Sequence, residues 1–557
     1  MAVRSTFAGI NTMYRGVSTN RLSLETVGHN MTNASATGYS RQRVNQAATT
    51  PDEVYTNAGQ QYVGSGTDAL SIKRARDIYA DKQYWRENST LNYYESRRKN
   101  YQKLEVVFKD ADKTGVQEAM NDFYKSWVDM SKEASTTSQR VAVLEKAGVL
   151  CDRIKTAGKQ LQEQIKAEYT DLGLNITKVN ELTSQIVELN RAIMSREAAG
   201  GSANDLRDAR DNLADELSQY MSVSVTEDKA TGMYTVVSNG VTVVNGITKL
   251  NLTLGPKDAD GKVVGIPNKD YGVTDYNIEI DGTGVVFDPL NGKLKAKQDA
   301  IAEDKGYIDQ VANMVAFLMT NFNAQHQQGI GMDQNRTTGL NFFGDQNTLY
   351  QFQHNAVTGE NSVVSTAYAG GLASTVGGTP PGKPTVTVTG SGTATNDTLK
   401  AYRLIDALQI NQKLTAPDGE RLIASAAWEF DNGGTPVKNG TADGEVAVLL
   451  STLINQNDSS RTVANCAIGE SSLRNYYNNG MTKLGVDASS CQVLQKQQED
   501  VLEQVSQWRT ETAGVNWDEE LTNMIMFQQG YSACSRCLTT MDEMLDKLIN
   551  STGVVGR

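Results

Sequence analysis

Cys534 and Cys537, three residues apart, are the pair in this chain whose type and spacing come nearest to chemistry. One C-x-x-C supplies two thiolates, half of what a structural zinc site needs, or one redox couple. The other cysteines, Cys151, Cys466 and Cys491, are scattered, and an odd total of five does not describe a disulfide scaffold. Cys534 also falls on a helical apolar stripe, where a small soft side chain is ordinary filling, so core packing is the reading adopted over redox or metal chemistry. His29, His326 and His354 stand alone, with no pair at metal-ligand spacing. Gly377 to Lys383 imitates the start of a phosphate-binding loop, but Pro384 replaces the Ser or Thr that would hold magnesium, and prolines cannot donate the N–H groups of the cradle. Asp258 and Asp260 resemble a fragment of a calcium loop without its later Glu, and read as a polar turn. No G-x-S-x-G elbow occurs. Catalysis, a cofactor and a metal centre are not expected.

Two helical seams, one at each end of the chain, stand out instead. Ile10, Met13, Val17, Asn20, Leu24, Val27 and Met31 recur at alternating steps of three and four. Phe527, Tyr531, Cys534, Leu538, Met541, Leu545 and Leu548 do the same near the C-terminus, with Leu521 and Met524 leading into them. Such spacing lays a narrow apolar stripe along one side of a helix, the geometry of a coiled-coil seam. A chain with a sticky helix at each terminus joins its ends, or joins copies of itself. Helices with an exposed seam are marginal alone, so both ends are expected to order only on docking. Residues 1–60 carry five Arg against three acids, and 508–557 carry four bases against seven acids. At an exposed interface that asymmetry predicts weak steering rather than affinity.

The 557 residues suggest three or four domains. A net charge of −12 disfavours nucleic acid, which wants a basic patch, and no apolar run is long enough to span a membrane. Arg4 is not followed by an apolar region or a small-residue cleavage site, so no cleaved signal peptide is expected. On totals alone the chain reads as cytosolic. Nine prolines leave 52–255 and 437–557 clear, where long helices can run. From about Leu91 to Met221 the composition favours helix, with a break at Gly200-Gly201 before a short helix from Asn204 to Tyr220. Period-two strands follow, with Asn239-Gly240 as a hairpin turn. A helix is predicted from about Ala296 to Gln325 and another over Val463 to Arg509. Between 345 and 460 lie five prolines, 13 glycines and the run Thr385-Val-Thr-Val-Thr389, which reads as a separate β-rich insert. The predicted fold class is α+β, a nested multidomain protein. Segments 1–62 and 510–557 form the paired terminal coiled-coil helices. Segments 63–344 and 461–509 form a long helical bundle with a β-hairpin part at about 221–290, and 345–460 forms the β-rich outer domain.

Asn30-Met31-Thr32-Asn33-Ala34, followed by Thr37-Gly38-Tyr39-Ser40-Arg41-Gln42, resembles the N-terminal signature of the axial proteins of the bacterial flagellum. The Tyr-Ser-Arg-Gln ending is similar to the version in the proteins of the hook–filament junction. Arg210-Asp211 to Leu217 with Val223 and Val225, Phe322-Asn323 to His326 and Gly329, Gly514-Val515-Asn516-Trp517-Asp518-Glu519-Glu520, and Gln528 to Tyr531 resemble further segments of that family. His29, Met31-Thr32 and Trp517 depart from its usual residues, and 345–460 is not covered. The resemblance implies a structural junction between hook and filament, built from terminal helices paired in the inner tube. Its assembly interface would be the two seams together with Gly38, Tyr39 and Arg41. It implies a ring of copies, hook protein below, a second junction protein above, and a cytosolic export chaperone on the C-terminal helix around Tyr531 to Leu548. It also implies unfolded export through the flagellar type III channel to an extracellular site, which replaces the cytosolic reading.

Overall fold

The proline-free stretches become long helices. In the computed structural model, which describes residues 7–551 apart from 57–58, 109–114, 199 and 259–260, four helices fill the first stretch after residue 77: Ile78–Phe108, Val116–Lys132, Thr137–Ala198 and Asn204–Tyr220. Thr137–Ala198 has 62 residues and, at about 1.5 Å per residue, is the long axis of the bundle. It buries Val143, Leu150, Ile154, Leu161, Ile165, Leu172, Val179 and Ile186 along one stripe. Gly292–Phe317 and Leu473–Ala513 complete the bundle, and the former continues through a π-turn at Leu318–Phe322 into Asn323–Gln327. Asn291 and Ser472 start the two bundle helices by accepting hydrogen bonds from the free N–H groups of Gly292 and Asn475.

The strands form several small antiparallel sheets. Ser224–Glu227, Tyr234–Ser238, Val241–Asn245 and Thr248–Lys249 make a meander. Its central turn is Asn239-Gly240, both at positive φ (45° and 76°), the conformation of a type I′ hairpin. Gln42–Ala48 pairs with Thr67–Arg74 beside the N-terminal helix. Lys383 sits in the turn between strands Leu372–Gly377 and Thr385–Gly390 and is ion-paired with Glu445, as a hairpin tip rather than a phosphate cradle. Asp260 lies outside the described residues.

Residues 345–460, read from the sequence as a separate β-rich insert, divide in two. Strands occupy 348–399 and 428–438, but Ala401–Asp406, Gln412–Thr415 and Glu445–Asn455 are helical. Their apolar side chains, including Leu404, Ile405, Val446 and Leu450, together with Ile423 between them, belong to the same buried cluster as the bundle residues Phe123, Trp127, Ile154 and Phe322. The physical reason is that the bundle's own aromatic node (Phe123, Trp127, Phe322, Phe342 and Phe343, with neighbouring centroids 4.8–6.1 Å apart) needs a cover. Arg140 reinforces the join by donating to the carbonyls of Ala134 and Ile423 and to Ser425 Oγ.

Candidate functional site

The terminal helices, Ala8–Asn33 and Trp517–Ser551, pack against each other and run antiparallel. A β-carbon at Gly9 would stand 3.0 Å from Met541 Cε, one at Gly16 would stand 3.0 Å from Cys534 Sγ, and one at Gly530 would stand 2.8 Å from Asn20 Oδ1. Seven residues forward on the first helix therefore correspond to seven back on the last. Small residues at these crossings let the backbones approach closely, which a larger side chain would prevent. The expected disorder of the lone termini is not what the structure holds: each seam is packed on the other within one chain.

Most seam positions are shielded from solvent in the terminal pair. Ile10, Met13, Val17, Asn20, Leu24 and Met31 are half-buried and Val27 is buried. Met524, Phe527, Cys534, Leu538, Met541 and Leu545 are half-buried on the partner helix. Leu521, Tyr531 and Leu548 are the corrections, exposed by 49%, 39% and 55%. The phase differs because Gly530, not Tyr531, fills the crossing with Asn20, which turns the Tyr531 ring outward. Cys537 is exposed one step beyond the seam, so the two sulfurs of C-x-x-C do not share an environment.

The first helix has a second buried face that apolar periodicity does not reveal. Thr19, Ser23, Thr26 and Asn30 are all under 9% exposed. Thr19 Oγ1 donates to the Thr67 carbonyl, and Ser23 Oγ accepts from Gln46 Nε2, so this face packs on the hairpin of strands 42–48 and 67–74.

At the root of the terminal pair the chain turns through Gly38, whose φ of +75° suits glycine and whose position leaves no room for a β-carbon beside the Asn212 amide. The turn is fixed by Asn30. Its Oδ1 accepts from Tyr39 OH (2.8 Å) and from the Gln42 N–H (2.9 Å), while its Nδ2 donates to the Gln42 carbonyl (2.9 Å) and to Glu520 Oε2 (3.0 Å). Arg41 closes the knot. Its Nε donates to Glu520 Oε1 at 2.6 Å, NH1 and NH2 reach Glu519, and its backbone N–H donates to the Ala513 carbonyl. Asn516 Oδ1 accepts from the N–H groups of Asp518 and Glu519, capping the last helix so that both glutamates face Arg41. The Arg41 side chain is 6% exposed and that of Glu520 2%, so the charge asymmetry between the ends, read from sequence as weak steering, is realised as a buried pair.

A second layer joins this knot to the bundle. Arg74 bridges Asp208 and Asp211 at 2.7 Å each, Arg76 bridges Asp81 (2.6 Å) and Asp211 (3.0 Å), and Arg509 bridges Asp81 (2.9 Å) and Asp215 (3.0 Å). Gln42 Nε2 donates to Asp205, and the Ser40 N–H donates to Asp208. His29 Nε2 lies 3.3 Å from Asp205 Oδ1, with its ring edge-on to Tyr39. The hydrogen bond to Arg41 holds the Glu519 carboxyl below the usual range. Burial pushes Asp211 up, but Arg76 and Arg74 outweigh it and the net shift is downward; at Asp215 burial wins over Arg509 and Arg76 and the shift is upward. Arginines and aspartates in buried alternation form a clasp that positions the terminal pair, with no nucleophile–base geometry. Asn30, Glu519, Glu520, Asp208 and Asp211 were missed as site residues; a faint signal was the acidic first turn Asp518-Glu519-Glu520 after Asn516.

Residues 101–343 match the family described as flagellar hook-associated protein FlgK helical domain. Residues 506–551, the end of the last bundle helix and the terminal helix, match the flagellar basal body rod FlgEFG protein C-terminal family. The chain is 27% identical to flagellar hook-associated protein 1 of Bacillus subtilis strain 168, over 99% of this chain and all of that protein. It is 26% identical to the protein of the same name from Escherichia coli K12, over 97% and 99% of the two chains. In fold it resembles the flagellar hook junction protein FlgK from Burkholderia pseudomallei, with a TM-score of 0.55 and 16% identity, covering 77% of this chain and 99% of that one.

Proposed function

The chain belongs to the family of flagellar hook-associated protein 1, structural proteins of the flagellum, and from that premise we propose that it joins hook to filament without catalysing a reaction. Its working part is the antiparallel terminal pair, held at a fixed angle to the bundle by the clasp around Arg41 and Glu520. That buried link between residues distant in sequence is the observation that carries the reading. A stiff joint transmits torque, whereas a flexible tether would not. The seam residues Ile10 to Met31 and Met524 to Leu545 hold the pair together, while Gly38, Tyr39 and Arg41 fix its root. Leu521 and Tyr531, exposed on the last helix, then face neighbours: copies of the chain in a ring, hook protein below, and a second junction protein above. The last helix around Tyr531 to Leu548, masked by a cytosolic export chaperone before secretion, would travel unfolded through the flagellar type III channel to the outside of the cell.

Removing residues 1–40 tests the reading. The bundle, whose buried cluster starts at Trp85, should keep its melting transition, while hooks from a strain carrying the shortened chain should bear no filament. Filaments on those hooks would contradict the proposal.

A further inference from the structure

Two surfaces lie on opposite sides of the helix Ile78–Phe108; the clasp residues Arg74, Arg76 and Asp81 reach the floor of one of them, and its lysines take no part in the clasp. On one side is a groove of about 660 Å³ between that helix, the strand Thr67–Arg74 and the strand Ser224–Glu227. Its lining carries six basic residues against three acidic ones, and three of the bases, Lys73, Lys82 and Lys229, form no ion pair among the described residues. Ile72, Trp85 and Val225 give it apolar walls, with exposed Ile78 at its lip.

On the other side the helix Leu473–Ala513 packs through one stripe: Cys491 Sγ donates to the Tyr94 carbonyl, Gln498 donates to Glu87, and Arg509 lies over the Tyr84 ring at 4.2 Å. Its outward face bears a second stripe, Val486, Val493, Val501 and Trp508, at steps of seven and eight, all exposed. Asp500 borders it, Glu503 and Glu499 follow further round the helix, Glu499 accepting from Gln495 Nε2, and none of the three forms an ion pair among the described residues. Positions 78, 82 and 85 project about half a turn away from 84, 87 and 94, so groove and stripe face in opposite directions at the same level of the molecule.

We infer that the acidic apolar stripe of one copy docks into the basic groove of the next, a lateral contact between bundles in addition to the terminal pair. The inference rests on the ring proposed above. Charge complementarity selects a second copy as the occupant: the groove offers ammonium groups without an anionic partner among the described residues and apolar walls, and the stripe offers apolar side chains beside carboxylates without a cationic partner among them. Two different surfaces facing opposite ways form a head-to-tail contact, the kind that closes rings, whereas one self-complementary patch would stop at a dimer.

Charge exchange tests it in full-length protein added to purified hooks, with occupancy of hook ends counted by electron microscopy at low salt. Lys73→Glu, Lys82→Glu and Lys229→Glu together, or Glu499→Lys, Asp500→Lys and Glu503→Lys together, should each reduce occupancy about tenfold. All six side chains are exposed, and unchanged melting of each triple confirms that it folds. Carrying all six changes in one chain, or mixing the two triples, should restore occupancy to near the unmodified level, because an acidic groove then meets a basic stripe. Triples that cap hooks as well as the unmodified chain, or an exchange that restores nothing, would overturn the lateral contact while leaving the junction reading intact. Failure of the unmodified chain itself to cap hooks would defeat the junction reading and this inference with it.

Discussion

Arg41 and Glu520 are separated by 479 residues in sequence and by 2.6 Å in space. Both are buried, and Glu520 also accepts from Asn30, so one carboxylate ties the end of the first helix, the turn after it and the start of the last helix. The turn around Gly38 lets Arg41 reach back to that carboxylate. The two terminal helices are thereby locked together at their root, which the Arg41 N–H bond to the Ala513 carbonyl and the Arg74, Arg76 and Arg509 bridges join to the bundle.

Glu520→Ala should release the terminal pair from the bundle. Losing one partner of a buried, hydrogen-bonded ion pair costs roughly 3–5 kcal/mol, because Arg41 is left buried without its counter-charge. Hydrogen exchange should show faster exchange over 8–33 and 517–551 and unchanged protection in 137–198. Equal loss in all three segments would mean that the pair supports the whole fold rather than the joint.

Glycine position decides the sign of two further substitutions in the first helix. Gly28 has nothing within 4 Å of where a β-carbon would stand, so Gly28→Ala should stabilise by about 0.5–1 kcal/mol through backbone entropy. Gly16→Leu, at the crossing with Cys534, should instead force the helices apart and cost about 1–3 kcal/mol. Thermal melts of the two variants should move in opposite directions.

Asp304 gives the bundle a pH dependence of its own. Burial, with the nearby Glu168 and Glu303 charges, pushes its carboxyl up to about 7, against hydrogen bonds from Asn100 and Gln164. Between its ordinary value of 3.8 and about 7 the folded chain holds a proton that the unfolded chain has lost. Stability from this group is therefore full below about pH 4 and falls as pH rises through 7. Asp304→Asn should stabilise the bundle at pH 8 by about 1–3 kcal/mol and flatten its pH profile between 4 and 7. The clasp behaves oppositely: Glu519 and Asp211 are held low, so their contribution is present at neutral pH and is lost only as pH falls through their depressed values. Denaturation curves for the bundle and exchange rates for the ends should diverge below pH 4.

Arg140 is buried against carbonyls and a hydroxyl, and burial, its main perturbation, lowers its pKa to about 10. Arg140→Met would leave the Ala134 and Ile423 carbonyls without their donor, at about 1–3 kcal/mol for each buried acceptor. The segment 401–460 should become the first site of proteolytic cleavage, where the unmodified chain is cut elsewhere.

The seams were readable because apolar residues at steps of three and four leave a strong periodic trace. Phase on the last helix was not, since a glycine at a crossing carries no hydrophobic signal and Tyr531 looks like a better seam residue than Gly530. The face of Thr19, Ser23, Thr26 and Asn30 was hidden because polar residues read as solvated; here strands 12 to 48 residues away satisfy several of them. Turn and helix boundaries around Gly38 and Asn204–Tyr220 were legible from local chemistry. The partners Arg41–Glu520 and Arg74–Asp211 were not, because pairing between distant segments is a property of the fold. The helical half of 345–460 was masked by the glycines and prolines of its neighbouring hairpins.

The central claim is that one chain's two ends pair with each other, antiparallel and in the register set by Gly16 and Cys534. A β-carbon at Gly16 would lie 3.8 Å from that of Cys534, the separation a disulfide needs. In a Cys537→Ser background, Gly16→Cys should oxidise to a cross-linked monomer that runs faster than the reduced chain on a denaturing gel and reverts on reduction. A product of two linked chains, or none under conditions that oxidise an exposed control pair, would contradict the account.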